Sequence, residues 1–237
     1  MPETPESDAP VPSRRERERL ARREAMLSAA RALFAEKGYE QARLEEIAER
    51  AEFGKGTLYN YFEGGKQELL FAIFEDAFEN VRRLIETCVA DEVAAGHSVR
   101  VAFRNLLACL LGHFLEERPT FLILMKEAQR MGLATDSEAV QRLFALRSRP
   151  IAALAVPIEA AMQAGTMRRF DAHAVAHMLM GNVHGYLMYA CGPDCSPTMT
   201  ELALPENAAD FIAAILFDGL LTDPDAPFVS PASAPHP

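Results

Sequence analysis

The segment 55–61 carries side chains that are well suited to contact a nucleic acid. It reads KGTLYNY, so one ammonium, one hydroxyl, one amide and two phenol groups accompany a single apolar anchor, Leu58. Amide and hydroxyl groups read the edges of bases in a groove, and the Asn60 amide matches adenine bidentately, a contact worth about 1–3 kcal/mol of discrimination. We therefore predict that this segment faces nucleic acid.

Two short helices separated by a tight turn must position these side chains. Before the turn, apolar residues recur at the i, i+3, i+4, i+7 spacing of one helical face, namely Leu44, Ile47, Ala48 and Ala51. The sequence Glu52-Phe53-Gly54 then interrupts this period, and Lys55 restarts it. A positive φ at Glu52 would add backbone strain of about 1 kcal/mol.

The polar residues of the second short helix, and those that flank it, have separate predicted roles. Lys55 and Lys66 lie beside helix N-termini, where free N–H groups and the helix dipole already favour phosphate. Gly56 allows a close backbone approach because it has no Cβ. The candidates for base-edge or phosphate contact are Thr57, Tyr59, Asn60 and Tyr61. For both tyrosines, packing in the core is the alternative interpretation.

The distribution of charge indicates where a nucleic acid would be tolerated. The chain carries a formal net charge of -10, but residues 13–66 contain 12 Lys/Arg and 10 Asp/Glu, whereas residues 67–237 contain 12 and 21. The N-terminal part is therefore the region that a phosphate backbone would approach. No apolar run reaches a membrane span, the N-terminus does not resemble a signal peptide, and we expect a cytoplasmic protein with reduced cysteines.

Composition and helix signals predict an all-α protein of two helical parts. We expect a disordered arm at 1–12, a three-helix DNA-binding domain at 13–65, a six-helix ligand-binding and dimerisation domain at 66–222, and a disordered tail at 223–237. The first helix starts with arginines that alternate with glutamates, which either form a solvated face or reach phosphates. Pro150 and Pro157 predict a kink or restart in a helix that begins near Ser137, and the last helix should run from Pro205 to about Leu221.

Phenyl and thioether side chains are frequent in the second part, and such surfaces adapt to apolar ligands, although they are also ordinary core. The candidates for a ligand pocket are Phe103, Leu107, Leu110, Phe114, Phe121, Met125, Met162, Met178, His177 and His184. The last two helices are the predicted dimer bundle. Its candidate residues are Val183, Leu187, Phe211, Ile212, Ile215, Leu216 and Leu220.

Three histidines and a cysteine share one predicted helical stripe. His173, His177, His184 and Cys191 are separated by steps of four and seven residues. Imidazole and thiolate groups bind zinc or copper, but this spacing is too long for one ion within one chain. The stripe therefore fits a polar pocket wall, a surface or interface, or a metal-related role, and we predict no metal or other cofactor.

The segment 29–70 resembles the DNA-binding domain of the TetR family of transcriptional regulators. The similarity lies in AARALFAEKGYE, LEEIAERA and KGTLYNYF, followed by the lysine and leucines at 66–70. It implies a homodimer on a near-palindromic double-stranded operator, with 55–61 in the major groove. It also implies a repressor that is released when a small, largely apolar effector binds the body and swings the helix near Lys66.

Three departures from the family pattern affect the predicted site. The turn reads Glu52-Phe53-Gly54, where the family commonly has Gly-Val-Ser. Arg43 stands where a capping Thr or Ser is usual, and it offers a cation for phosphate. Gly64-Gly65 is one residue longer than the usual connection before Lys66.

A different function is an all-helical ligand-binding or enzymatic protein in which the N-terminal helices are only structural. The sequence lacks a Ser-His-Asp ordering, an HExxH motif and a phosphate-binding glycine loop. We therefore expect a regulator rather than an enzyme.

Overall fold

The computed structural model describes residues 13–132, 137–190 and 204–219. Every regular element within these ranges is helical, which confirms the predicted all-α fold. The helices are α1 (Arg14–Lys37), α2 (Leu44–Arg50), α3 (Lys55–Tyr61), α4 (Gly65–Ala95), α5 (Val99–Glu116), α6 (Arg118–Gly132), α7 (Ser137–Gln163), α8 (Ala172–Ala190) and α9 (Pro205–Ala213). None of these helices is long and apolar enough to cross a membrane.

Helices α1 to α3 enclose a small core that continues into the rest of the chain. Met26, Leu27 and Phe34 of α1 pack with Ile47 of α2 and Leu58 of α3 in one buried cluster. The same cluster includes the start of α4 and three residues from farther along, namely Ile123, Leu143 and Leu146. Helix α1 therefore packs directly against α6, and α7 joins the same cluster through its packing on α4.

The N-terminal turns of α1 extend away from this core. Ser13 caps the helix, because its hydroxyl accepts from the Glu16 N–H and the Glu16 carboxylate accepts from the Ser13 N–H. Leu20, which the spacing places on the buried stripe, is 59% exposed. It is exposed because the core begins only at Met26.

A second core holds the body together. Val81 and Ile85 of α4 lie in a cluster with Phe103 and Leu107 of α5 and with buried residues of α7, α8 and α9. Surface ion pairs link α5 to the C-terminal helical segment. The Arg104 Nε atom lies 2.7 Å from the Asp210 Oδ1 atom, and the Arg100 Nη2 atom lies 2.6 Å from the Asp218 Oδ2 atom. The body is thus one helical bundle with α4 as its connection to the N-terminal core.

Capping contacts mark the ends of several helices. The Ser98 hydroxyl accepts from the Val101 N–H at the start of α5, and the Asp171 carboxylate accepts from the Ala174 N–H at the start of α8. Gly96 ends α4 with a φ of 67°, in the left-handed conformation that glycine adopts without strain.

The restart that the prolines allowed in α7 is not observed, and the last helix ends earlier than predicted. Helix α7 continues through Pro150 and Pro157 without a restart, because each ring removes only one backbone donor while buried neighbours such as Ile151 and Ile158 hold the helix in place. Helix α9 becomes a π-helical turn at Ala214–Asp218, and this turn ends before Gly219, where φ is 84°. The predicted arm at 1–12, the tail at 223–237, Cys191 and Leu220 lie outside the described residues.

Candidate nucleic-acid interface

The turn between α2 and α3 is closed by two backbone hydrogen bonds that end α2 in a left-handed residue. The Phe53 N–H donates to the Ala48 carbonyl at 2.9 Å, and the Glu52 N–H donates to the Glu49 carbonyl at 3.0 Å. Glu52 has a φ of 61°, so it adopts the positive φ considered from the sequence. It is the one non-glycine residue with positive φ among those described. The strain of about 1 kcal/mol is offset by these bonds and by partial burial of the Phe53 side chain.

One side of α3 is fixed in the core, and the other side is left to solvent. Leu58 is fully buried, and Phe62, directly after the helix, is 2% exposed. Lys55, Gly56, Tyr59 and Asn60 are exposed, whereas Thr57 and Tyr61 are half-buried. Tyr61 packs against the N-terminal core, so its ring has a structural role in addition to the predicted contact. The exposed group offers the ammonium, amide and phenol that the sequence predicted for a groove.

Lys55 has a carboxylate partner on α2. Its ammonium donates to a Glu45 carboxylate oxygen and also lies 5.9 Å from the centre of the Tyr59 ring. The hydrogen bond to Glu45 raises the pKa of Lys55, and the same bond lowers the pKa of Glu45. Exposed pairs of this kind contribute little stability, so a phosphate can compete for the lysine. No pattern in the sequence indicates that Glu45, ten residues earlier, is its partner.

Other basic residues of the same region are held in similar surface pairs. Lys37 of α1 lies 2.7 Å from Glu46 of α2, and Arg50 of α2 lies 2.7 Å from Glu36 of α1. These pairs bridge the first two helices and fix the orientation of α2. As a result, the basic side chains near α3, namely those of Lys37, Arg50 and Lys55, each lie close to a carboxylate.

Lys66 binds the turn after α1. Its ammonium donates to the carbonyl oxygens of Tyr39 at 2.8 Å and Glu40 at 3.0 Å, and it lies 4.6 Å from the centre of the Tyr39 ring. Two of its three N–H donors are thus used within the protein, and one remains for the predicted phosphate contact. The extra glycine is accommodated by Gly65, which takes a φ of 66° as the first residue of α4.

Arg43 is exposed and has an extended conformation directly before α2. The Glu46 carboxylate accepts from the Arg43 N–H at 3.2 Å, and this bond supplies one half of a capping arrangement. With Arg in place of Thr or Ser, this helix start has no side-chain cap hydrogen bond, and the exposed guanidinium group stays a candidate for phosphate contact.

The structure divides the predicted pocket residues into two groups. Phe103, Leu107, Leu110, Phe121 and Met162 are buried in the body core, and Phe114 and Met125 pack partly against it. Met178, in contrast, is 65% exposed, and His177 is also exposed. Interior placement is wrong for these two residues, because Ala176, Leu179, Val183 and Leu187 define the inward face of α8.

His184 is the one member of the predicted histidine stripe that faces the interior among the three described. Its ring lies 5.4 Å from Phe114 and 5.6 Å from Phe121, measured between ring centres. Burial lowers the pKa of His184 to about 4, and the charge of Arg147 contributes a smaller part. His173 and His177 are exposed, so the stripe does not form one surface.

Three of the six predicted dimer residues that the structure describes belong to the core of the single chain. Val183 and Leu187 are fully buried, and Ile212 is 5% exposed, so these three residues are not available to a partner. Ile215 and Leu216 are half-buried, and Phe211 is 49% exposed. These residues are buried because α8 and α9 pack against α5 and α7. Spacing along α8 and α9 alone does not reveal this packing.

The fold and the exposed side of α3 are typical of one class of protein, in which an N-terminal helix-turn-helix domain precedes a helical body. Residues 26–73 match the model for bacterial regulatory proteins of the tetR family. This part of the chain, which holds α2 and α3, is therefore similar to the tetR family of bacterial regulatory proteins.

Relatives of known sequence match the N-terminal part of the chain. The HTH-type transcriptional regulator LmrA of Bacillus subtilis (strain 168) is 33% identical over 87 residues, which are 37% of this chain and 46% of LmrA. The matched stretch thus spans less than half the length of that relative.

Solved structures match over most of the chain. FadR of Bacillus subtilis in complex with stearoyl-CoA has a TM-score of 0.70 at 16% identity, and the match covers 84% of this chain and 99% of FadR. AibR in complex with isovaleryl coenzyme A and operator DNA has a TM-score of 0.60 at 22% identity, with 83% and 98% covered. At these identities the likeness establishes the fold.

Proposed function

We propose that this chain is a DNA-binding transcriptional regulator whose α3 enters the major groove. The observation that carries the proposal is the division of α3, in which Leu58 is fully buried while Lys55, Gly56, Tyr59 and Asn60 are exposed together. In helix-turn-helix proteins the second helix reads base edges and the surrounding groups contact phosphates. LmrA, a relative in this same region, is named as an HTH-type transcriptional regulator.

Within this proposal, Asn60 and Thr57 read bases, and the cations hold the backbone of the duplex. Lys55 exchanges Glu45 for a phosphate, and Lys66 uses its remaining donor while its other two bind Tyr39 and Glu40. Arg43 and the two tyrosines Tyr59 and Tyr61 complete the contact surface. The proposal assigns no catalytic reaction, and it places the protein in the cytoplasm, where bacterial DNA lies.

The operator should be a near-palindrome bound by a homodimer. We infer that the partner packs against the outward faces of α8 and α9, where Met178, Met188 and Phe211 are 65%, 47% and 49% exposed. Gly181 and Gly185 lie between the two methionines on the exposed side of α8 and allow close approach of a second helix. A two-fold axis through this surface would set two α3 helices about one turn of DNA apart.

The body is the proposed site of the signal. FadR and AibR are known in complex with coenzyme A thioesters, which supports a small-molecule effector for this chain as well. Helix α4 would carry the response, because it spans both cores over 31 residues, about 46 Å of helix. We propose repression that is relieved when the effector favours the conformation that does not fit DNA.

Selection of duplexes from a random pool by the purified protein tests the proposal without knowledge of the regulated genes. We expect enrichment of an inverted repeat, and tight binding of that repeat should weaken steeply as salt rises. A pool in which no sequence is enriched, even at low salt, would exclude sequence-specific regulation.

A further inference from the structure

The first three turns of α1 project beyond the N-terminal core. The helix begins at Arg14, but its first buried residue is Met26, and every residue between them except Arg23 is exposed. The capping contacts between Ser13 and Glu16 hold this segment in a helix without support from the core. We call residues 13–25 the N-terminal extension.

The N-terminal extension accounts for the whole positive excess of the N-terminal part of the chain. It contains six arginines and three glutamates, whereas residues 26–66 contain six Lys/Arg and seven Asp/Glu. Its ion-pair partners outside the extension, Arg31 and Asp76, carry opposite charges, so the excess of three positive charges remains when both are included. A duplex that contacts α3 would therefore find the local excess of positive charge at this extension.

Three arginines of the extension form one stripe along the helix. Arg15, Arg19 and Arg22 follow the i, i+4, i+7 spacing that places side chains on the same face. All three are exposed, and within the residues that the structure describes none of them has a side-chain partner. Their guanidinium groups are therefore available to a ligand outside these residues.

The carboxylates of the extension are bound by groups outside this stripe. Glu18 lies 2.9 Å from Arg14, and Glu24 lies 2.8 Å from Arg31. The Glu16 carboxylate accepts from the backbone N–H of Ser13 at 2.8 Å. The alternation of arginine and glutamate along the sequence thus does not pair the stripe with the glutamates beside it.

The stripe lies on the side of α1 that faces the N-terminal core. Met26, four residues after Arg22, continues the same spacing and is fully buried. The Arg23 guanidinium carbon, next to the stripe, lies 5.8 Å from the centre of the Phe62 ring, and Phe62 directly follows α3. The stripe therefore starts near the C-terminal end of α3 and runs outward from the N-terminal core.

The length of the stripe matches the spacing of phosphates in DNA. Seven residues separate Arg15 from Arg22, which corresponds to about 10 Å of helix. One strand of B-DNA carries a phosphate every 3.4 Å or so along the helix axis, about three steps over this length. Guanidinium groups match phosphate oxygens bidentately, so each arginine suits one phosphate.

We propose that Arg15, Arg19 and Arg22 bind phosphate groups of the duplex beside the base pairs that α3 reads. The proposal rests on the DNA-binding function proposed above, and it adds a contact that does not depend on base sequence. Such contacts set the affinity and orientation of a protein on DNA, whereas base contacts set its sequence preference. The extension is helical before DNA arrives, so binding does not require this segment to fold.

A combined substitution of the stripe tests the proposal in the full chain. Arg15→Gln, Arg19→Gln and Arg22→Gln are introduced together, because glutamine retains helix propensity and removes the charge. Anisotropy titrations at several salt concentrations use the selected repeat with one flanking turn of DNA on each side. We expect affinity to fall at least about tenfold, and the slope of log affinity against log salt to fall by about two to three per bound chain. The preferred bases should stay the same.

A second triple variant supplies the matched control. Arg149→Gln, Arg168→Gln and Arg169→Gln change the net charge by the same amount at exposed positions of the body. Their affinity and salt slope should equal those of the unchanged protein. An unchanged slope in the stripe variant, or equal losses in the two variants, would overturn the proposal.

Failure of the duplex selection would remove the regulator function and would be recognised separately. The same two variants are then compared on one unselected duplex, because phosphate contacts do not depend on sequence. Weaker binding of the stripe variant alone would support the phosphate contact, and equal binding of the two variants would contradict it.

Discussion

Helices α3 and α8 both combine polar and apolar residues, but only in α3 does the sequence reveal which side faces outward. Helix α3 has seven residues, and Leu58 is its one buried side chain. Helix α8 has 19 residues and is apolar around much of its circumference, with Met178 and Met188 exposed and Met180 buried. Spacing therefore locates a surface in a small domain with one core, and it fails for a helix that neighbours surround.

The largest expected effect concerns two adjacent residues of α8. Leu187→Ala should lower the free energy of unfolding by about 2–5 kcal/mol, because the fully buried side chain leaves a cavity in the body core. Denaturant unfolding at one fixed protein concentration measures this loss. Met188→Ala, at the exposed neighbour, should instead weaken self-association in sedimentation equilibrium. Similar losses of stability in both variants would show that the two faces of α8 are not distinct.

Two of the three histidines of α8, one buried and one exposed, extend the comparison to pH. The pKa of His184 is lowered to about 4 in the folded state, below 6.5 for an unperturbed group, so its stabilisation is present above pH 6.5 and is lost as pH falls toward 4. At pH 5 this loss is about 2 kcal/mol relative to pH 8. His184→Gln should remove this part of the pH dependence of unfolding, and His177→Gln, at an exposed position, should retain it.

Substitutions at two glycines, Gly56 in α3 and Gly65 at the start of α4, distinguish an effect on backbone strain from an effect on DNA contact. Gly65→Ala should cost about 1–2 kcal/mol of stability, because φ is 66° and the new Cβ would lie 3.3 Å from the Leu44 Cδ1 atom. At Gly56 a new Cβ meets nothing within 4 Å, so Gly56→Ala should leave thermal stability unchanged or raised. Gly56→Ala should nevertheless weaken operator binding, and unchanged affinity would mean that DNA does not approach this backbone.

The smallest effect belongs to the pair of Lys55 and Glu45. Lys55→Ala should weaken binding of all duplexes and lower the slope of log affinity against log salt by about one for each lysine removed. Glu45→Gln should tighten binding, because the lysine then loses a competing carboxylate. Anisotropy titrations at several salt concentrations measure both, and an unchanged slope for Lys55→Ala would exclude its phosphate contact.

Local signals in the sequence predicted much of the fold. Ser98, Asp171 and Gly96 mark helix ends by chemistry that acts within a few residues, and each marks an observed end. The exposed side of α3 was predictable for the same reason, since Leu58 and Phe62 identify the buried side.

Features that depend on distant segments were not predictable. Lys66 binds carbonyl groups 26 and 27 residues away, and His184 lies between rings from α5 and α6. The continuity of α7 through two prolines also depends on its packing, because buried neighbours on α4 and α8 offset the lost donors. Periodicity contains no information about which helices meet, so it assigned Val183 and Leu187 to the wrong surface.

We propose that the exposed side of α3 reads bases, and the Asn60→Ala variant tests this proposal most directly. Affinities of the unchanged protein and of Asn60→Ala are measured against the selected operator and a panel with every base pair changed in turn. We expect the variant to lose discrimination at one base pair in each half-site, by about 1–3 kcal/mol, and to keep its preference elsewhere. An identical profile for the two proteins at every position would contradict it.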